Sequence, residues 1–213
     1  MVAQSVGGIV LCGGQSSRMG RPKLNLPFGD ELMLPRIVRI LRSVVSPVVV
    51  VAGPNQEVPP LPDDVRVVRD EQEHLGPLAG IEVGLRALLG VVEAVYVSSC
   101  DVPLLQPEFI AEMIRRLGSH ELAVPREGKF HHPLAAVYLT SLAERVHQLV
   151  ADQRLRLLFL IQSSDAVEVP VEELMTVDPE LHSLRNLNRP ENYEEALRLA
   201  GLIESSPCGE AAK

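Results

Sequence analysis

Apolar residues along this chain fall into short unbroken runs that alternate with stretches in which they recur every third or fourth position. Val6 to Leu11 is the first run, and because it ends in Gly13-Gly14 it predicts a buried strand feeding a turn. The stretch after it reads as loop as far as Gly29. Leu34, Ile37, Val38 and Leu41 then recur at helical spacing, with Pro35 tolerable because it falls in the first turn. Val48 to Ala52 and Val65 to Val68 are β-branched runs between Pro- and Gly-rich breaks, which predicts two more buried strands. Leu78, Ile81, Leu85 and Leu88 form the next helical stripe. Ala94 to Ser99 reads as another strand, and Phe109, Ile110, Met113, Ile114 and Leu117 as the helix that follows it.

Strands and helices alternate through this first half, and continuous apolar strands are typical of a parallel sheet covered on both faces. The expected fold is α/β, a three-layer doubly wound, Rossmann-like arrangement around a mostly parallel central sheet. After about residue 120 the pattern changes. Leu122–Pro125 and Leu134–Tyr138 read as extended, and Ser141 with Glu144 reads as a capping box opening a helix. Leu155, Leu157, Leu158, Leu160 and Ile161 read as core. A last helix is predicted from Pro190, with Tyr193, Ala196, Leu197 and Ala200 on one side. Residues 1–203 are expected to form a single domain and 204–213 a loose tail.

Composition narrows the possible functions. The net charge of −8 argues against a general nucleic-acid surface, which needs a broad basic face. An anionic ligand would therefore need a local cationic cluster. Lysine occurs only at Lys23, Lys129 and Lys213, the other cations being arginine, so a lysine beside the first glycine-rich segment stands out. Cys12, Cys100 and Cys208 lack metal-site spacing and suit reduced thiols, with Cys12 and Cys100 expected as small core residues. No apolar run reaches the roughly 18 residues of a membrane span, and no leader segment is recognisable, so a cytoplasmic protein is expected.

The most informative stretch runs Leu11-Cys12-Gly13-Gly14-Gln15-Ser16-Ser17-Arg18-Met19-Gly20-Arg21-Pro22-Lys23. Glycines directly after a buried strand let backbone N–H groups approach a phosphate, and Arg18, Arg21 and Lys23 would place positive charge beside it. An ordinary surface loop is the competing reading. The spacing matches neither the dinucleotide fingerprint nor the P-loop. A second candidate is Asp101, at the carboxyl end of a predicted strand where ligand crevices form in α/β sheets. It could hold a hard cation, or simply make a turn before Pro103.

Three further segments carry weaker signals. Asp70 follows the third strand, and Gly76-Pro77-Leu78-Ala79-Gly80 opens a helix whose free N–H groups could receive an anion, or be no more than a turn and a helix start. His131-His132-Pro133 lacks partners at metal-ligand spacing and reads as a surface loop. Asn186 and Asn188 would face the same way in an extended segment, although Asn188 could equally cap the last helix.

Together these segments resemble the nucleotidyltransferases whose signature is Gly-Gly-x-x-x-Arg-Met-Gly…Lys, and most closely the molybdenum cofactor guanylyltransferases, over roughly Val6 to Leu199. The resemblance implies transfer of GMP from GTP to a molybdopterin-type cofactor phosphate with release of pyrophosphate, and Mg2+ as cofactor. It implies that Leu11, Cys12, Gly13, Gly14, Lys23, Asp70, Gly80 and Asp101 bind the nucleotide, with Lys23, Arg18 and Asp101 catalytic. It implies metal binding by Asp101 and acceptor binding by His132, Asn186 and Asn188. It also implies contact with other cofactor-biosynthesis proteins, and neither nucleic acid nor membrane as partner. The family's Asn after the second strand has Gly53 at its place, with Asn55 nearby, and neither is assigned. Pro22 stands where the family has Asp before the lysine, and Arg189 where it has Thr in Asn-x-Asn-Thr-Pro-Glu. Rival readings are a cytidylyl- or sugar-phosphate nucleotidyltransferase, and a non-catalytic nucleotide-binding regulator.

Overall fold

A computed structural model of the chain describes residues 5–13, 23–70 and 75–203. The chain enters through β1 (Val6–Leu11), and after a 3-10 turn at Lys23–Asn25 it makes a small hairpin of β2 (Pro27–Phe28) and β3 (Glu31–Leu32). Then follow α1 (Met33–Arg42), β4 (Val48–Ala52), β5 (Arg66–Arg69), α2 (Pro77–Leu88), β6 (Ala94–Ser99) and α3 (Pro107–Leu117). The second half comprises β7 (Leu122–Glu127), β8 (Phe130–His131), β9 (Ala135–Leu139), α4 (Ala143–Ala151), α5 (Leu157–Ser163), β10 (Ala166–Pro170), α6 (Val171–Leu174) and α7 (Pro190–Leu199).

The main sheet runs β10-β7-β9-β6-β1-β4-β5, with β8 appended to β7. β1 pairs in parallel with β4 and β6, and β4 with β5, while β9 runs antiparallel between β6 and β7. The expected mostly parallel α/β sheet is thus present. Strand alternation divides its side chains between two cores. Val10, Val50 and Tyr96 point to a layer containing Leu34, Ile37, Leu41, Phe109, Ile110 and Met113 from α1 and α3. Ile9, Val49, Val51 and Val97 point to the other, containing Leu78, Ile81 and Leu85 from α2 and Val146 and Leu149 from α4. Each fully buried aliphatic or aromatic side chain of this kind contributes roughly 1.5–3 kcal/mol.

Helix α2 meets β1 at a glycine. A Cβ on Gly84 would come within 2.7 Å of Ile9 Cδ1, so only hydrogen fits between helix and strand there. A third cluster, containing Leu26, Phe28, Met33, Leu104, Leu187 and Ala196, packs α7 against the β2–β3 hairpin and the segment after β6. The Tyr193 hydroxyl adds a hydrogen bond to the Pro27 carbonyl. This packing brings the last described part of the chain back to the edge of the sheet where the first glycine-rich segment begins.

Several expectations change. The stretch read as loop before Gly29 contains a 3-10 turn and the first strand of a hairpin, elements too short to produce a period. Of Val65–Val68, read as a buried strand, Val65 is buried just before β5, whereas Val67 within it is 40% exposed, because β5 ends the sheet order. The Ser141 capping box does not form. Ser141 lies inside a 3-10 turn at Thr140–Leu142, and Leu142 caps α4 with no side-chain bond. The hydroxyl used there is that of Thr140, donating to the Val92 carbonyl at 2.8 Å. Leu160 and Ile161 are core as expected, but Leu158 is exposed on the outer side of α5. The loose tail expected at 204–213 lies outside the described residues. Among the described residues no helix is long and apolar enough to cross a membrane.

Candidate active site

The carboxyl ends of β1, β4, β5 and β6 lie side by side, so the segments leaving them share one edge of the sheet. The β1 and β6 ends are tied by the Cys100 N–H donating to the Leu11 carbonyl at 3.1 Å. Asp101 follows immediately, and although a carboxylate it is only 8% exposed. A buried carboxylate needs partners, because its desolvation is costly. It has three. Ser99 Oγ donates to Oδ1 at 2.6 Å, Lys23 Nζ reaches Oδ2 at 2.7 Å, and the Asp101 carbonyl accepts the Leu187 N–H at 2.9 Å.

Lys23 is placed by the 3-10 turn it opens, whose Leu24 is buried in the core beneath. Its Nζ also donates to Asn188 Oδ1 at 3.1 Å. Three segments far apart in sequence therefore converge on one ammonium group. Asn188 does not cap α7: the cap residue is Arg189, without a side-chain bond. Nor is the segment extended, since the Asn188 N–H turns back to the Asn186 carbonyl at 3.1 Å and buries Leu187 between two exposed amides. Asn186 instead lines a shallow pocket of about 230 Å³ with Leu104, Arg185, Asn192 and Glu195.

Other predicted residues occupy different positions around this centre. Leu11 and Cys12 are buried at the end of β1, and Gly13 follows them into solvent. The Cys12 and Cys100 thiols contact each other. Their hydrogen bond, together with burial, pushes the Cys12 thiol well above its ordinary range, so it is a protonated packing group. Asp70 stands at the end of β5, its N–H donating to the Ala52 carbonyl at 2.9 Å. Gly80 lies in the body of α2, where a Cβ would meet Leu11 Cδ2 at 3.3 Å, so its position is one of close helix–strand packing. Gly14 and Arg18 lie outside the described residues.

His132 sits beyond β8, with Nε2 3.4 Å from Glu127 Oε2, while His131 Nε2 is 3.3 Å from Glu168 Oε1. The adjacent histidines thus face different glutamates. His132 is engaged with Glu127 rather than with the Lys23–Asp101 pair. Among the described residues no group of three or more His, Cys, Asp or Glu side chains gathers as a ready-made metal cage. Asp101 nevertheless suits a hard cation that takes one or two carboxylates and completes its shell with phosphate oxygens and water. Ser99 was missed as a site residue. A hydroxyl two positions before a strand-end aspartate is a common sequence feature, and only the fold turns it onto the carboxylate.

Comparison with known proteins places the chain in a family. The family model described as the MobA-like NTP transferase domain matches residues 8–167. A Mycobacterium tuberculosis protein named probable molybdenum cofactor guanylyltransferase is 41% identical over 167 residues, covering 76% of this chain and 82% of that one. In fold, the chain is similar to molybdopterin-guanine dinucleotide biosynthesis protein A from Archaeoglobus fulgidus, with a TM-score of 0.75 at 21% identity, covering 92% and 100% of the two chains. It is also similar to a Mycobacterium tuberculosis protein solved as a complex with manganese, at a TM-score of 0.54 and 20% identity over 79% and 89%. The chain belongs to the MobA-like NTP transferase family and is a nucleotidyltransferase.

Proposed function

We propose that the chain transfers GMP from GTP to the phosphate of a molybdopterin-type cofactor and releases pyrophosphate. The observation that carries this reading is the contact of Lys23 with Asp101 at the sheet edge where nucleotides bind in α/β folds. The guanylyltransferase name of the 41%-identical relative supplies the substrates.

The acceptor phosphate is ionised at neutral pH and needs no general base. Catalysis then rests on alignment and on neutralising charge as pyrophosphate departs. Lys23 would move from Asp101 to the phosphates, and the glycine-rich segment, with Gly13, Gly14 and Arg18, would surround them. Asp101 would hold a divalent ion, Mg2+ in this proposal, held in place by the Ser99 hydroxyl on its other oxygen. When bound, that ion supplies Lewis-acid neutralisation of the phosphates. That a structurally similar protein was solved as a complex with manganese supports a divalent ion as cofactor. Leu11, Cys12, Asp70 and Gly80 would border the nucleoside. Asn186, Asn188 and His132 would receive the acceptor, with Asn188 released when Lys23 turns to the nucleotide.

The packing of α7 against β2 and the segment after β6 supports residues 1–203 acting as one catalytic domain. The proposed setting is the cytoplasm, with passing contact to the proteins that deliver the cofactor.

Pyrophosphate release measured with Mg2+, molybdopterin and each of GTP, CTP and UTP tests the proposal. Release with GTP is expected. Release only with CTP or UTP would reassign the base, and none with any nucleotide would leave a binding protein.

A further inference from the structure

The parallel ladder between β1 and β4 is interrupted where the site begins. The Cys12 N–H donates to the Val51 carbonyl at 2.9 Å, and in a continuing parallel ladder the next bond would run from the Gly53 N–H to the Cys12 carbonyl. A side chain takes that place. The Gly53 N–H donates to Gln56 Oε1 at 3.0 Å, and Gln56 Nε2 donates to the Cys12 carbonyl at 2.9 Å. The Gln56 amide therefore acts as an extra peptide group that replaces one ladder bond by two, holding the strand ends apart by its own width.

Arg69, the last residue of β5, secures the wedge from the other side. Its Nη1 donates to the Gly53 carbonyl at 2.7 Å and to the Gln56 carbonyl at 3.0 Å. Crowding at Gly53 does not explain the gap, since a Cβ there would meet nothing nearer than Gln56 Oε1 at 3.8 Å. The wedge adjoins Cys12 and Gly13, where the chain enters the glycine-rich segment, and the end of β5, where Asp70 begins. Lys23 and Asp101 lie on the opposite, β6 side of β1. The sheet edge thus has the Lys23–Asp101 ion pair at its β6 end and an amide-spaced gap, braced by Arg69, between β1, β4 and β5.

We propose that Gln56 is a positioning residue for the nucleoside half of the substrate: its amide sets the width of the crevice that receives the base while the Lys23–Asp101 end receives the phosphates. The proposal rests on the nucleotidyl-transfer reading. Without the amide, the Gly53 N–H and Cys12 carbonyl are free to bond directly, and the crevice narrows. A misplacement of this size at a site wall is enough to lose binding.

The two ends can be probed separately, with Mg2+–GTP for the whole crevice and Mg2+–pyrophosphate for the Lys23–Asp101 end alone. Gln56→Met keeps the side chain's length and removes both hydrogen bonds. Gln56→Glu keeps the acceptor for Gly53 but sets a carboxylate against the Cys12 carbonyl. Both variants are expected to raise the Kd for Mg2+–GTP at least tenfold and to leave that for Mg2+–pyrophosphate within about twofold, a pattern that general loosening does not produce. Unchanged GTP affinity in either folded variant overturns the proposal, as does an equal loss for both ligands. Failure of the wild-type protein to bind any nucleoside triphosphate is a different result and overturns the nucleotidyl-transfer reading itself.

Discussion

Lys23 Nζ and Asp101 Oδ2, 78 residues apart in sequence, lie 2.7 Å apart at the carboxyl edge of the sheet. The ammonium group neutralises a carboxylate that is 8% exposed and occupies one of its two oxygens. Lys23→Met leaves that carboxylate without its counter-charge and is expected to destabilise the protein by about 1–3 kcal/mol. Asp101→Asn removes the charge and should recover much of the loss in the double variant. A double-mutant cycle by urea unfolding measures this; strictly additive effects would mean that the pair is not coupled.

The same two substitutions separate stability from turnover. Each removes a charge proposed to act on the departing pyrophosphate, so each is expected to lower kcat on the order of 100-fold or more. The double variant, although restored in stability, should stay inactive. Recovery of turnover along with stability would assign the pair a purely structural role.

At the contact between α2 and β1, two glycines four residues apart should respond differently. A Cβ at Gly84 would stand 2.7 Å from Ile9 Cδ1 and 2.8 Å from its Cγ2, both in the packed interior. Gly84→Ala is expected to cost about 1–3 kcal/mol through overpacking. At Gly80 the nearest atom is Leu11 Cδ2 at 3.3 Å, so the clash is mild and is opposed by a helix-propensity gain of up to about 1 kcal/mol. Urea midpoints of the two variants decide the matter, with Gly84→Ala markedly lower and Gly80→Ala near the wild type.

The residues legible in the sequence were those whose partners repeat along the chain. β1, β4 and β6 are nearly all β-branched or small, because both faces of each strand are covered, and such runs are recognisable without knowing their neighbours. β10 was not recognised. Glu168 interrupts its apolar run, and the strand exists through its pairing with β7. The reversed direction of β9 likewise leaves no trace in its composition. At the site, Asp101 was legible from its place after a strand, and Lys23 from its segment. The Ser99, Asn188 and Gln56 contacts were not, since each joins groups that only the folded chain brings together.

Cys12 borders the proposed nucleotide site but is not a nucleophile. Its hydrogen bond to Cys100 and its burial both hold the proton on sulfur. In the folded protein Cys12 and Cys100 are expected to resist a thiol-specific alkylating reagent at pH 8 and to react promptly once urea unfolds the chain, as mapped by peptide mass spectrometry. Rapid native-state labelling of Cys12 would place a thiolate there instead.

Acid should weaken α3 through Glu112. Glu112 accepts hydrogen bonds from Arg115 at 2.7 and 2.6 Å and from Arg116 at 2.7 Å. The Arg115 bonds, outweighing the opposing desolvation, and then that of Arg116 hold its carboxyl down at about 2, against an ordinary 4.5. A carboxyl depressed in the folded state binds its proton more readily in the unfolded one, so its contribution to stability is complete above 4.5 and is lost as pH falls toward 2. Glu121, paired with Arg145, is shifted the same way and adds to the slope. Glu112→Gln should therefore unfold more easily at neutral pH yet lose less stability than the wild type between pH 4.5 and 2. Denaturant midpoints followed across that window test this, and parallel curves for the two proteins would show that Glu112 keeps its ordinary affinity for protons in the fold.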